Sequence, residues 1–251
     1  MKKIPIALQM YTLRNEMEKD FTGTLQQVAR LGYEGVELAG HGGLSAKELK
    51  GTLDSLDLRV ASSHIPLSEL RNDVQKVIHD QLELSSSYIV CPYLPPEERT
   101  EKHYVQLVDD LNSIGELCFN EGITLCYHNH DFELTTLSTG KPALEMILNE
   151  TNPHWVKAEF DIYWLTFAGE RPVEWLKRYQ GRTPLVHLKD MTLDGERFFA
   201  ELGTGGVDLA SVLDYGIHSG VDWWIVEQDQ SRISPIESVR MSLEYLRQNN
   251  L

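Results

Sequence analysis

Thr124-Leu125-Cys126-Tyr127-His128-Asn129-His130 is a short β-prone run that ends in two histidines, and its reading decides the fold. Three further runs end in a side chain able to hold a metal ion: Ala158-Glu159-Phe160-Asp161, Leu185-Val186-His187-Leu188-Lys189-Asp190 and Trp224-Ile225-Val226-Glu227-Gln228-Asp229. If these four strands are neighbours in a barrel, His128, Asp161, His187 and Glu227 meet at one rim. Mixed nitrogen and oxygen donors suit one divalent cation such as Mn²⁺, Zn²⁺, Co²⁺ or Mg²⁺, and a cation in a pocket is a Lewis acid. The chain therefore reads as an enzyme.

Working outward, short β-branched runs recur near 4–9, 34–39, 58–63, 87–92, 122–128, 155–161, 183–189 and 222–228, with segments of helical period between them. In 103–118, Tyr104, Leu107, Val108, Leu111, Ile114 and Leu117 fall on one face. The last helix takes Ser234 as N-cap and Pro235 at its first position, and lines up Ile236, Val239, Leu243 and Leu246. Eight such units, with strands too apolar to face water, predict a single (β/α)8 TIM barrel spanning 1–251, with the active site at the strand C-terminal ends. No GxGxxG follows the first strand, and Gly203–Gly206 lacks a P-loop lysine, which counts against a dinucleotide or P-loop fold. Pro95-Pro96 reads as a loop before a helix, and no linker divides the 251 residues.

Composition narrows the partners. With 23 basic against 38 acidic residues the formal charge is −15, which opposes binding a phosphate backbone. The N-terminus lacks the apolar core of a leader, and no segment reaches the roughly 20 apolar residues of a membrane span, so a cytoplasmic protein without membrane or nucleic-acid partners is expected. Cys91, Cys118 and Cys126 are odd in number, without CxxC spacing, and read as buried hydrophobes.

Strand alternation assigns the fifth strand's faces: Ile123, Leu125 and Tyr127 toward the helices, Thr124, Cys126, His128 and His130 toward the axis. His130 is expected to contact substrate or take part in catalysis. Asp161 either binds metal or caps the next helix, and His187 is a ligand or a core histidine. Glu227 serves as ligand and base or simply pairs with Lys189, which in turn stabilises an enolate oxygen or neutralises carboxylates. Glu37 and His64 end the second and third strands and are candidates for acid–base or substrate-binding roles. Trp164, with Tyr11 and Arg14, could wall a sugar site. A substrate anion would be held by Arg14, Lys189 or main-chain N–H groups near Gly203–Gly206.

The stretches IALQMYTLR (6–14), GYEGVELA (32–39), ASSH (61–64), YHNHDFE (127–133), FDIYW (160–164), HLKDM (187–191), LGTG (202–205) and VEQD (226–229) together resemble the xylose isomerase-like TIM barrel superfamily, in its sugar phosphate isomerase/epimerase branch. The resemblance implies one divalent metal on Glu, Asp, His and Glu at four strand ends, with two glutamates moving a proton beside a carbonyl. Asp161, His187 and Glu227 match the last three ligands. At the first the chain has Tyr127-His128, so His128 stands in for the glutamate, with Glu133 as the alternative. Trp164 replaces a histidine common in the superfamily, and the TyrHisAsnHis subgroup connects with keto-sugar, glycoside and inositol-type substrates. The expected activity is isomerisation or epimerisation of a sugar, keto-sugar or polyol through an enediolate. The alternatives are a lyase or dehydratase on a keto-sugar or inositol derivative, and a non-catalytic sugar-binding barrel. The class IV AP endonucleases share this barrel but need several metals and a basic DNA face. The resemblance also allows a homodimer.

Overall fold

The computed structural model describes residues 3–249. Eight parallel strands close a barrel: β1 (Ile6–Gln9), β2 (Gly35–Leu38), β3 (Arg59–His64), β4 (Tyr88–Cys91), β5 (Thr124–His128), β6 (Val156–Asp161), β7 (Leu185–Leu188) and β10 (Trp223–Val226), with β10 pairing β1 to complete the ring. Between β7 and β10 a small antiparallel pair, β8 (Asp190–Met191) and β9 (Phe199–Ala200), forms a flap at the rim. The sequence reading did not foresee it. Helices fill the connections: α1 (Arg14–Met17), α2 (Phe21–Leu31), α3 (Ala46–Ser55), α4 (Leu67–Glu83), α5 (Glu101–Asn120), α6 (Ala143–Glu150), α7 (Ile162–Phe167), α8 (Pro172–Arg178), α9 (Leu209–Ser219) and α10 (Pro235–Gln248). The expected (β/α)8 barrel is present, with each strand where the apolar runs placed it.

Strand alternation separates two cores. Outward side chains such as Leu125, Tyr127, Phe160, Val186 and Trp224 pack under the helices, while Ala7, Ala61, Val90, Cys126, Leu185, Trp223 and Ile225 fill the barrel's interior. The face assigned to β5 is the one observed, and all three cysteines are free and buried. Small corrections follow from packing. On α5, Cys118 rather than Leu117 continues the inward face, and Leu117 is 39% exposed. Ser234 sits at the N-cap of α10, but its side chain makes no capping hydrogen bond there.

One irregularity matters for the site. The β2–β3 ladder pairs Val36 with Val60 and Glu37 with Ser62, so Ala61 is an extra residue, a β-bulge. Val60 faces the helices and Ala61 the axis. Strict alternation would next turn Ser62 out and Ser63 in. Instead Ser62 Oγ donates to Glu37 inside the barrel and Ser63 Oγ donates to Gln81 on α4. The phase change brings His64 inward.

Two glycines on the helices give opposite expectations. A Cβ on Gly216 of α9 would lie 2.1 Å from the ring of fully buried Trp224, whereas one on Gly51 of α3 meets nothing within 4 Å. Gly216→Ala is expected to lower stability by about 1–3 kcal/mol through overpacking. Gly51→Ala is expected to raise it by about 0.5–1 kcal/mol by removing chain entropy from a helix interior. Urea denaturation of both variants checks the pair; a neutral Gly216→Ala would mean that the helix slides to accommodate the methyl.

Candidate active site

The interior positions of the barrel change from apolar to ionisable at the strand C-terminal ends. His128 ends β5, Asp161 ends β6, His187 lies in β7 and Glu227 follows β10; all four are buried, and a ligand-capable atom from each lies within 4.8 Å of the others. His187 Nδ1 is 2.9 Å from Glu227 Oε2, and His128 Nε2 is 3.8 Å from Asp161 Oδ2. Asp161 serves two ends at once: Oδ1 accepts from the N–H groups of Tyr163 and Trp164 and so caps α7, while Oδ2 faces the cluster. Lys189, which directly follows β7, places Nζ 2.9 Å from Asp161 Oδ2, 2.7 Å from Glu227 Oε2 and 2.8 Å from Asp229 Oδ2.

A second layer lies alongside. Glu159, two residues before Asp161 and therefore on the same face of β6, puts Oε2 2.8 Å from His64 Nε2, 3.0 Å from His128 Nδ1 and 3.2 Å from His187 Nε2. The sequence reading missed it, although the parity that turned Asp161 inward applies equally to Glu159. Glu37 is fully buried and accepts from Gln9 Nε2 (2.6 Å), Ser62 Oγ (2.6 Å) and His187 Nε2 (2.5 Å). It was expected to line the pocket with His64; the structure instead encloses it within the barrel.

Burial and charge set the protonation states. Burial would lower the His64 imidazole, but Glu37 and Glu159 outweigh it and hold it up at about 10. Burial, then Lys189, pushes His130 down to about 3. Burial would raise Glu227, yet Lys189 and His187 keep it well below the usual carboxylate range. Burial would lower Lys189, and Asp161, Asp229 and Glu227 hold it charged.

A cavity of about 630 Å³ opens onto this cluster. Tyr11, His64, His128, His130 and Glu227 line it, together with Tyr93 and Asp229, which the sequence reading did not single out. Arg14 and Trp164 are not among its lining residues. Arg14 stacks over the Tyr11 ring at 4.3 Å and donates to the carbonyls of Tyr11 and Asp229, so it buttresses the rim. Trp164 packs behind His130, with ring centroids 5.6 Å apart, and against Phe199 of the flap. The glycine loop is unavailable to an anion, because Asp190 accepts from the N–H groups of Gly203, Gly205 and Val207 and Gly206 N–H donates to the Met191 carbonyl. Glu133 does not reach the cluster either; it accepts from Tyr127 Oη (2.7 Å) and His130 N–H (2.7 Å) and fixes the loop that carries His130.

Ionisable groups ringing the C-terminal mouth of a closed (β/α)8 barrel define a class of enzyme-like barrels. This chain belongs to the xylose isomerase-like TIM barrel family, which matches it over residues 25–249. An inosose dehydratase of Clostridium botulinum (strain Alaska E43 / Type E3) is 24% identical, covering 92% of this chain and 90% of its own. One of Geobacillus kaustophilus (strain HTA426) is 25% identical over 88% and 85%. The crystal structure of a sugar phosphate isomerase/epimerase from Parabacteroides distasonis ATCC 8503 superposes with a TM-score of 0.84 at 26% identity, covering 98% of this chain and 94% of that one. Among the described residues no helix is long and apolar enough to cross a membrane.

Burial pushes the Glu133 carboxyl up to about 7, against the pull of its two donors. A raised folded-state value means that the neutral form is favoured by folding; its contribution is full below about 4.5 and is lost as pH rises through about 7. Relative to Glu133→Gln, which does not titrate, the wild type is expected to lose on the order of 3 kcal/mol between about pH 4 and about pH 8. Denaturation of both proteins at the two pH values measures this, and a constant difference would show that folding leaves the Glu133 carboxyl at its ordinary value.

Proposed function

We propose that this chain is a metal-dependent enzyme that takes a proton from the carbon beside a carbonyl of a sugar, keto-sugar or polyol and isomerises or epimerises it. The observation that carries the reading is the buried convergence of His128, Asp161, His187 and Glu227, of which His128 and Glu227 line the cavity. The donor set fits a divalent cation. Buried Asp161 Oδ2 accepts no hydrogen bond from the described residues; Lys189 Nζ lies 2.9 Å and His128 Nε2 3.8 Å from it. The buried carboxylates of Glu37, Glu159, Asp161 and Glu227 outnumber the charged Lys189, His64 and His187 beside them, and a cation relieves the excess. His128, Asp161, His187 and Glu227 would hold the ion, which when bound supplies Lewis acidity toward a carbonyl and its adjacent hydroxyl.

The chain's own groups do the rest. Glu227, at the cavity wall and ionised, takes the proton from carbon. Lys189 keeps Glu227 charged and opposes the burial that raises Asp161. His130 is neutral and its buried Nδ1 finds no partner among the described residues, so it can hold a substrate hydroxyl or carry a proton between positions. Lys76 in the lining is paired with Asp80 at 2.6 Å, and Glu69, Glu227 and Asp229 share the wall, which favours a neutral sugar over a phosphorylated one.

A second reading, elimination of water from the same enolate, is favoured by His64. Held as an imidazolium by Glu37 and Glu159 through Nε2, it carries a further proton on Nδ1 at the cavity wall that a departing β-hydroxyl could take. The match to inosose dehydratases points the same way.

Elemental analysis of protein purified without chelator is expected to find about one equivalent of metal, lost in His187→Ala and Asp161→Asn. Incubation with keto-sugars and inososes in D2O is expected to introduce deuterium beside the carbonyl, and Glu227→Gln should slow this by about 10²–10⁴. Products of unchanged mass apart from deuterium mark isomerisation or epimerisation; loss of water marks elimination. A metal-free wild type even after reconstitution would sink both and leave a sugar-binding barrel.

A further inference from the structure

The upper site leaves a question of atoms. Each of its two histidines turns one ring nitrogen toward the upper carboxylates and the other toward the enclosed layer. His187 has Nδ1 2.9 Å from Glu227 Oε2 and Nε2 2.5 Å from Glu37 Oε2. His128 has Nε2 3.8 Å from Asp161 Oδ2 and Nδ1 3.0 Å from Glu159 Oε2. An ionised carboxylate only accepts hydrogen bonds, so a nitrogen lone pair aimed at one at such distances would be repelled. The nitrogens facing the enclosed layer are therefore N–H donors. On the other side His128 Nε2, 3.8 Å from Asp161, offers a lone pair, and His187 Nδ1 donates to Glu227 until a cation takes the place of that proton.

We propose that Glu37 and Glu159 are positioning residues that select the ring tautomers of His187 and His128, so that a divalent cation is taken by Nδ1 of His187 and Nε2 of His128. The inference rests on the metal-dependent reading above and specifies the atoms through which it works. Both carboxylates are built to stay in place. Gln9 Nε2 and Ser62 Oγ donate to the two oxygens of Glu37, and His64 Nε2 bridges Glu159 Oε2 at 2.8 Å and Glu37 Oε2 at 3.2 Å. The strand order makes the arrangement natural, since His128 and His187 come from β5 and β7, which flank the β6 strand that carries Glu159. A carboxylate behind a ligating imidazole fixes its tautomer and orientation and raises its basicity.

One rival placement uses the same side chains. His64, His128, Glu159 and His187 also bring ligand-capable atoms within 4.8 Å of one another, and an ion there would take the enclosed-layer nitrogens. It would have to displace the contact between His187 Nε2 and Glu37, the shortest that any of these histidines makes with a carboxylate.

The test uses full-length protein and zinc. Zn²⁺ affinity is measured by competition with a chromophoric chelator for wild type, Glu37→Gln, Glu159→Gln and His64→Gln, with melting of the metal-free forms as the folding control. Long-range ¹H–¹⁵N spectra of zinc-loaded, ¹⁵N-histidine-labelled wild type read the tautomers without any substitution. Expected are one zinc per chain, weakened about 10- to 100-fold by either Gln variant, and still bound at one equivalent by His64→Gln. The spectra should show a retained Nε2–H on His187 and a retained Nδ1–H on His128. Reversed tautomers, affinities untouched by both Gln variants, or loss of the ion in His64→Gln would overturn the inference while leaving a metal enzyme in place. No zinc on the wild type would remove the metal-dependent reading itself.

Discussion

Lys189 is the contact on which the mouth of this barrel depends. Its ammonium group is almost wholly buried and reaches Asp161, Glu227 and Asp229 together. Removing a carboxylate from water costs several kcal/mol even after relaxation, and an unpaired one in such a place would take up a proton instead. With Lys189 present, Glu227 stays ionised at the cavity wall although burial alone would neutralise it. Burial, reinforced by the same lysine, suppresses the charge of His130, so one cation that keeps one neighbour charged also helps to keep another neutral. Two groups that line one cavity thereby acquire different acid–base characters.

Histidine 187 joins the two polar layers. Its ring spans from Glu227 to Glu37, and Glu37 in turn is tied to β1 through Gln9 and to β3 through Ser62. Strands β1, β2, β3 and β7, with the residue that follows β10, are thus cross-linked inside the barrel by hydrogen bonds that end on carboxylate oxygens. These are charge-assisted contacts in a medium of low dielectric constant, which makes them strong when complete and costly when one member is missing. Such a network gives the mouth of the barrel a rigidity that the helical connections outside do not need.

Much of this was legible in the sequence because a strand's period of two carries both burial and chemistry. Apolar runs ending in His128, Asp161, His187 and Glu227 gave the barrel, its direction and the group at its floor. Parity alone also pointed to Glu159, but attention to strand-terminal residues passed over a carboxylate one step deeper. Glu37 was read as a pocket residue because it ends a strand; only the contacts from Gln9 and Ser62 reveal that its carboxylate is enclosed. The fate of the glycine loop at 203–206 was not readable either, since it depends on Asp190, a residue whose approach is created by the β8–β9 flap. Where local pattern decides, the sequence sufficed; where a polar group's partner comes from a distant segment, it did not.

The bulge at Ala61 has an evolutionary implication. Because one unpaired residue sets the phase of the strand beyond it, the side chain presented at the end of β3 is governed by how the strand pairs as much as by codon choice. A chain that kept every residue of β3 but paired it without the bulge would present Ser63 where His64 now stands, whereas loss of Ala61 itself would leave Ser62 opposite Glu37 and His64 in place. Relatives of this barrel could therefore diverge in chemistry through a slip in pairing that leaves no gap in an alignment, and residue-by-residue comparison across β3 is meaningful only between chains that share the bulge.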